Sequence, residues 1–236
     1  MAQEPNTRYI VLDNVIETPG VSTLLLSLSN GSVPKYVPGQ FITVYAPELG
    51  TPEGKAYSIS SAPHEKTLNI TVKDMGKFSH YLCSRKQGDE IQGSLPYGYF
   101  FSESHTSPLA LICGGIGIAP LRSMLQAAAH DTPRRSITLF CSNRTTQDII
   151  FKKTLNELQE ADKNLRVQHF ITREPAEPPM HSGRINAKII LESLKDEKGV
   201  EFLLCGSISF VRDLWRDLRA AGIPEETIYT EAFFSH

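Results

Sequence analysis

The chain has 236 residues, enough for one large or two small domains. Its net charge of −2 gives no basis for general binding to nucleic acid or to a membrane surface. No apolar run approaches the roughly 18 residues of a membrane helix, and residues 1–6 lack a basic segment followed by an apolar one, so the expected location is the cytoplasm, with no signal peptide.

The first part of the chain reads as all-β. Strands are expected over 9–12, 21–28, 41–45, 56–60 and 68–72, short, rich in β-branched residues and bounded by Gly, Pro or Asn. A short helix over 77–85 interrupts them, and a last strand over 90–94 follows the Gly88-Asp89 turn. Short strands in this number imply a closed antiparallel barrel. Beyond a polar stretch at 102–107, strands and helices alternate. Strands are expected over 109–113, 136–141, 165–172, 201–205 and 227–230, and helices over 120–129, 148–160, 186–194 and 209–221. That alternation implies a parallel sheet with helices on both faces. The expected fold is a six-stranded antiparallel β-barrel over 1–103 and a Rossmann-like α/β domain over 104–236.

Three short motifs carry chemistry. Lys55-Ala56-Tyr57-Ser58 puts Lys55 and Tyr57 on one face of a strand and Ser58 on the other. This suits a flat ring system with a charged tail, although an ordinary strand has the same pattern. Gly76-Lys77-Phe78-Ser79 opens the short helix, as either a phosphate site or a capped surface helix. Cys113-Gly114-Gly115-Ile116-Gly117-Ile118-Ala119-Pro120 joins a strand to a helix. Such a turn lets backbone N–H groups approach a pyrophosphate at a helix N-terminus, or is a plain connection. Pro120 fits the first helical turn, where its missing N–H costs nothing. Cys83, Cys113, Cys141 and Cys205 are far apart and the histidines are scattered, so no metal site is expected. Cys113 and Cys141 are expected to be buried strand thiols.

Taken in order, these pieces resemble the ferredoxin–NADP(H) reductase superfamily of flavoproteins over nearly the whole chain. Pro38-Gly39-Gln40-Phe41 is similar to its barrel signature, and Lys55-Ala56-Tyr57-Ser58 to its Arg-x-Tyr-Ser flavin motif with Lys in place of Arg. Gly76-Lys77-Phe78-Ser79 is similar to its Gly-x-x-Ser pyrophosphate motif. Gly88-Asp89 through Pro96-Tyr97-Gly98-Tyr99-Phe100 is similar to the loop closing the barrel. The 114–120 cluster, Cys205-Gly206-Ser207 and Glu231-Ala232-Phe233 are similar to its nicotinamide-nucleotide, Cys-Gly-Ser/Pro and acidic-plus-aromatic motifs.

The resemblance implies FAD as cofactor and NADPH or NADH as substrate. Lysine is a point charge where arginine offers a two-pronged fork, which leaves FMN open, and the Gly76 to Ser79 motif favours FAD. The implied flavin contacts are Lys55, Ala56, Tyr57, Ser58, Ile59, Thr71, Val72, Gly76, Lys77, Phe78 and Ser79. Ser58 would hydrogen-bond near the hydride-accepting nitrogen, and Phe233 or Phe234 would cover the ring. The implied nucleotide contacts are Gly114, Gly115, Ile116, Gly117, Pro120, Gly206 and Ser207. Cys205 would sit beside the nicotinamide, and Glu231 would orient it or relay protons.

The choice of coenzyme turns on one ribose phosphate. Asn143 and Arg144, Arg173, and Arg184 fall at strand ends or in loops, where the family's bacterial ferredoxin reductase branch holds that phosphate. They favour NADPH, although Asn143-Arg144-Thr145 with Asp148 also resembles NADH-using relatives. The implied activity is hydride transfer from NAD(P)H to FAD, then single electrons to ferredoxin or flavodoxin, by a monomer. An NADH-using reductase subunit of an oxygenase or other redox complex is the alternative, and a non-catalytic nucleotide-binding regulator is the third reading.

Overall fold

The structure, a computed structural model, describes residues 7–100, 106–130 and 134–233. The chain divides into two compact units: Met1–Tyr99 with Arg122–Ala127, and Phe100–Leu121 with Ala128–His236. The predicted boundary at 103/104 and the predicted tail aromatic Phe234 lie outside the described residues.

In the first unit, strands β1 (Thr7–Thr18), β2 (Val21–Leu28), β3 (Phe41–Ala46), β4 (Thr51–Ser58), β5 (Leu68–Lys73) and β6 (Glu90–Gly93) pair antiparallel in the order β4-β3-β6-β1-β2-β5. The sheet closes where Ile59 bridges Ile70 and the Ser60 N–H donates to the Asn69 carbonyl at 2.8 Å, joining the end of β4 to β5. Alternate residues turn inward. Tyr9, Leu24, Leu26, Ile42, Ile59, Leu68 and Ile70 are all 0% exposed. The Tyr9 hydroxyl donates to the Ser94 carbonyl at 2.8 Å, so this phenol carries no unmet polar group into the core. Helix α1 (Lys77–Cys83) lays Phe78 and Leu82 against the same core. Strand β4 begins at Thr51, so Pro52, Glu53 and Gly54 extend the strand instead of forming a turn before it. An irregularity in register between Val44 and Ala46 of β3 accommodates them.

In the second unit, strand β7 (Leu109–Gly114) leads into helix α2 (Ile118–Ala128). Strand β8 (Ile137–Asn143), helix α3 (Lys152–Ala161), strand β9 (Leu165–Ile171) and the two-residue strand β10 (His181–Ser182) follow. Helix α4 (Ala187–Ser193), strand β11 (Glu201–Ser207), helix α5 (Ile208–Ala220) and strand β12 (Ile228–Phe233) complete the unit. The sheet is parallel throughout, in the order β10-β9-β8-β7-β11-β12. A parallel sheet covered on both faces needs near-continuous apolar strands, and Leu109 to Cys113 are each at most 2% exposed. One face, through Ala110, Ile112, Phe140, Phe202 and Leu204, packs on α4 and α5, where Trp215 is a partly buried neighbour.

Helix α3 starts later than the apolar pattern implies. The Asp148 carboxylate accepts from the Thr145 N–H and hydroxyl at 2.9 and 2.8 Å, which closes a separate 3-10 turn over Thr146–Asp148. Ile149, Ile150 and Phe151 then run into the core before the helix begins. Strand β10 escapes prediction because two residues carry no period. No helix among the described residues is long and apolar enough to cross a membrane.

Candidate functional site

In the first unit, Lys55 and Tyr57 share a face of β4 as the strand period requires, and both meet Phe78. The Lys55 Nζ lies 5.7 Å from the Phe78 ring centre. The Tyr57 and Phe78 rings stack 6.3 Å apart at 21°. Burial pushes the Tyr57 phenol above its ordinary range. Ser58, on the other face, is buried, and Ala56 is exposed. The side chains of Ile59 and Val72 fill the barrel core. Thr71 is buried too; its hydroxyl lies 3.0 Å from that of Thr23 and donates to Ser60 Oγ at 2.8 Å.

Ser79 uses its hydroxyl within its own turn. It accepts from the Met75 and Gly76 N–H groups at 2.8 and 3.0 Å and donates to the Gly76 carbonyl at 3.0 Å. What the head of α1 offers an anion is therefore its first-turn backbone N–H groups, which have no intrahelical partners, beside the exposed Lys77. The space above is open, since a Cβ on Gly76 would meet nothing within 4 Å. An aromatic shelf, a cation and an open helix start fit a flat-ringed, anionic group such as a flavin nucleotide.

In the second unit, β7 ends at Gly114 and a 3-10 turn, Gly115–Gly117, feeds α2. Gly115 has φ 53° and faces open space, so a ligand can approach bare backbone there. Gly117 has the opposite surroundings: a Cβ on it would overlap the Cys205 carbonyl, lying 2.6 Å from the carbon. This contact seats the turn on β11. Ile116 is half-buried, and Pro120 is buried in the first turn of α2.

Strand order makes the rest of the site. β11 pairs with β7 at Cys205 and Cys113, and β12 pairs with β11 at Glu231 and Cys205, Ala232 and Gly206, and Phe233 and Ser207. Cys205 is 0% exposed. Burial and the nearby Glu231 carboxylate push its thiol well above the usual range, so it stays a neutral S–H. Ser207 caps α5 by accepting the Phe210 N–H at 3.3 Å. Phe210 is a site residue the sequence reading missed. A Cβ on Gly114 or on Gly206 would meet its ring at 3.2 and 2.9 Å, so this one ring supports both glycine segments. The available signal was its place three residues after the helix cap Ser207.

The three arginines sit at the same end of neighbouring strands. The Thr172 N–H donates to the Asn143 carbonyl at 3.0 Å and the Arg173 N–H to the Arg144 carbonyl at 2.9 Å, so the segments after β8 and β9 run together. Ser182 pairs with Ile171, which brings Arg184 alongside. All three are exposed, and none forms a salt bridge among the described residues. Between them stands Glu174, which accepts from the Thr146 N–H and hydroxyl at 2.7 and 2.8 Å. The sequence reading did not weigh this carboxylate. Among the described residues no three His, Cys, Asp or Glu side chains are placed to hold a metal ion.

The family model described as "Oxidoreductase NAD-binding domain" matches residues 111–215. Flavohemoprotein A of Dictyostelium discoideum is 28% identical over 246 residues, covering 97% of this chain and 60% of that protein. A flavohemoprotein of Bordetella pertussis is 30% identical over 230 residues, covering 90% and 56%. The chain thus spans about 60% of the length of the curated relatives it matches. Among solved structures, the flavohem-like FAD/NAD binding domain of nitric oxide dioxygenase from Vibrio cholerae O1 biovar El Tor is similar with a TM-score of 0.85 at 26% identity, covering 98% of this chain and 99% of that one. A ferredoxin NADP+ reductase from Neisseria gonorrhoeae with bound FAD and NADP shares the fold, with a TM-score of 0.79 at 24% identity, covering 98% and 100%. A barrel that carries the flavin-type motif and a parallel sheet that carries the nucleotide-type turn give the chain the two-domain fold of the FAD/NAD-binding oxidoreductase domains to which it is similar.

Proposed function

We propose that the chain is a flavin-dependent reductase that takes hydride from NAD(P)H onto FAD and passes electrons singly to a partner protein or domain. The observation that carries this reading is the seating of Gly117 against the Cys205 carbonyl, which brings a bare nucleotide-type turn beside a neutral, buried thiol. FAD, when bound, supplies a group that accepts two electrons together and gives them up one at a time.

The chain's own residues bind and orient. Lys55 and the head of α1 balance phosphate charge, and the Tyr57–Phe78 shelf supports the flat end of the cofactor. Ser58 supplies a hydroxyl at the ring. Gly114 and Gly115 present backbone N–H groups to the nucleotide's pyrophosphate. Cys205 acts by shape, because a thiol held protonated by burial packs against a nicotinamide without attacking it. Glu231, its register partner, orients the amide end of that ring.

The partner is an electron carrier of the ferredoxin or flavodoxin type. A second reading, favoured by the Glu174 carboxylate and by relatives named as flavohemoproteins and as the ferredoxin reductase of carbazole 1,9a-dioxygenase, is an NADH-using reductase for a haem or oxygenase component. Purified chain reconstituted with FAD is expected to hold the flavin through gel filtration and to lose its visible absorbance when NADPH or NADH is added without oxygen. Failure to retain flavin, or retention without bleaching by either nucleotide, overturns the reductase reading. Reoxidation by ferredoxin, flavodoxin or a haem protein, compared at equal concentration, separates the two partner readings.

A further inference from the structure

One lateral row of the parallel sheet is made almost wholly of reactive side chains. Glu231, Cys205, Cys113, Cys141 and His169 are successive register partners across β12, β11, β7, β8 and β9. Register partners share a face of the sheet, and this is the face turned away from α4 and α5, whose packing uses Ile112, Phe140 and Leu204. Two of the five belong to the candidate site, whereas Cys113, Cys141 and His169 have no part in it.

The Cys113 Sγ donates to the Cys141 Sγ at 3.5 Å. Neighbouring strands run about 4.8 Å apart, inside the roughly 4.4–6.8 Å between Cα atoms that a disulfide tolerates. A bond between the two sulfurs therefore needs side-chain closure and little backbone movement. His169 is 9% exposed, and neither ring nitrogen makes a hydrogen bond among the described residues. Its register partner is Cys141, so the imidazole is the base available to that thiol. The Cys113 S–H and the imidazole favour ionisation of Cys141, while Cys113 is held up by the same contact and by burial, so Cys141 is the more acidic sulfur. Cys205 lies on the other side of Cys113 and disfavours charge there.

We propose that Cys113 and Cys141 are a redox-active dithiol that a small hydroperoxide converts to a disulfide, with His169 as the base. The Cys141 thiolate attacks one peroxide oxygen and the O–O bond breaks, leaving a sulfenic acid and, for hydrogen peroxide, one water. The Cys113 sulfur then attacks the sulfenic sulfur and releases the second water. Two thiols and one peroxide thus become one disulfide and two waters. The bridge lies one residue before Gly114 and draws β7 toward β8, so oxidation weakens docking at the glycine turn. That consequence rests on reading the turn as a nucleotide site; the chemistry of the pair does not.

The test treats the full chain with hydrogen peroxide, alkylates free thiols after denaturation and maps the peptides by mass. A linked pair of peptides carrying Cys113 and Cys141, short of two hydrogens and split by dithiothreitol, is expected before Cys83 is consumed. His169→Gln should slow its appearance about tenfold, and Cys141→Ala or Cys113→Ser should abolish it. Oxidation of Cys83 with the pair still free, or a bridge from Cys113 to Cys205, overturns the proposal. Calorimetry with NADPH and with NADH is expected to show at least tenfold weaker binding after oxidation, restored by reduction. A bridge that leaves binding unchanged overturns the coupling. Reduced chain that binds neither nucleotide counts against the reductase reading and leaves peptide mapping to decide the dithiol.

Discussion

At the scale of single residues, coenzyme choice on the proposed reading is a contest between three cations and one carboxylate. NADPH brings an added phosphate to the adenosine ribose, and exposed arginines favour it by charge-assisted hydrogen bonds. Arg144, Arg173 and Arg184 supply that charge. Glu174, fixed by two hydrogen bonds from Thr146, places a negative group among them and can accept from a ribose hydroxyl instead. Each exposed contact contributes about 1–1.5 kcal/mol, so removing two arginines shifts the KM for NADPH by roughly 30-fold or more. The Arg144→Ala, Arg173→Ala double variant is expected to lose NADPH turnover in that measure while NADH turnover changes little. Glu174→Gln is expected to move the ratio a few-fold toward NADPH. Equal turnover of both nucleotides, unchanged in the double variant, removes these residues from coenzyme selection.

Elements add a constraint that no single residue shows. The glycine turn was legible in the chain because glycines between a strand and a helix are a local signal. The difference between the glycines was not, because it depends on which strand lies beside β7. Sequence order gives β8 as the next strand, yet β11, some ninety residues on, is the other neighbour. Hence Cys205 and Gly117 were each visible as motif members while their contact was not, and Phe210, which touches two motifs from a third element, was missed. The alternation of strands and helices was legible for the same local reason that the turn was. The two-residue β10 and the late start of α3 were not, since both follow from side-chain hydrogen bonds and burial in the assembled sheet. The contrast between two glycines gives the test. Gly117→Ala drives a Cβ into β11 backbone, which cannot rotate away, and is expected to cost about 2–3 kcal/mol, or roughly 4–12 °C in Tm. Gly115→Ala meets open space and bears only the strain of positive φ, about 1 kcal/mol, but it puts a methyl group where a nucleotide would approach. Thermal melts and nucleotide titrations of the two variants should therefore rank oppositely. Equal melting temperatures would remove Gly117 as the seat of the turn.

At the scale of the whole molecule, buried phenols set the alkaline limit. Tyr9, Tyr36 and Tyr57 all belong to the first unit, and burial is the leading cause that raises each above the ordinary value of 10.0, Tyr36 to about 12. A group whose folded pKa is raised releases its proton sooner from the unfolded chain. Its contribution is fully present below the unfolded value and is lost as pH rises through the folded one. Stability is thus expected to hold to about pH 9–10 and to fall steeply above it. Tyr36 separates this effect from general alkaline damage. Its hydroxyl lies 2.8 Å from the Ser61 hydroxyl, which also accepts the Asn69 N–H at 2.9 Å. Tyr36→Phe gives up one hydrogen bond, about 1 kcal/mol, and so is expected to melt roughly 2–4 °C lower at pH 8. It also removes one of the three titrating groups, so its curve against pH should be shallower and approach that of the parent chain by about pH 11, within the window from 10.0 to about 12. Near-ultraviolet phenolate absorbance gives an independent check, because phenols locked in the core should ionise only as the first unit opens. Parallel Tm curves for the two proteins across that window, or a phenolate absorbance difference between parent and Tyr36→Phe that grows well before melting, would mean that Tyr36 titrates in the folded state and that the barrel's alkaline limit lies elsewhere.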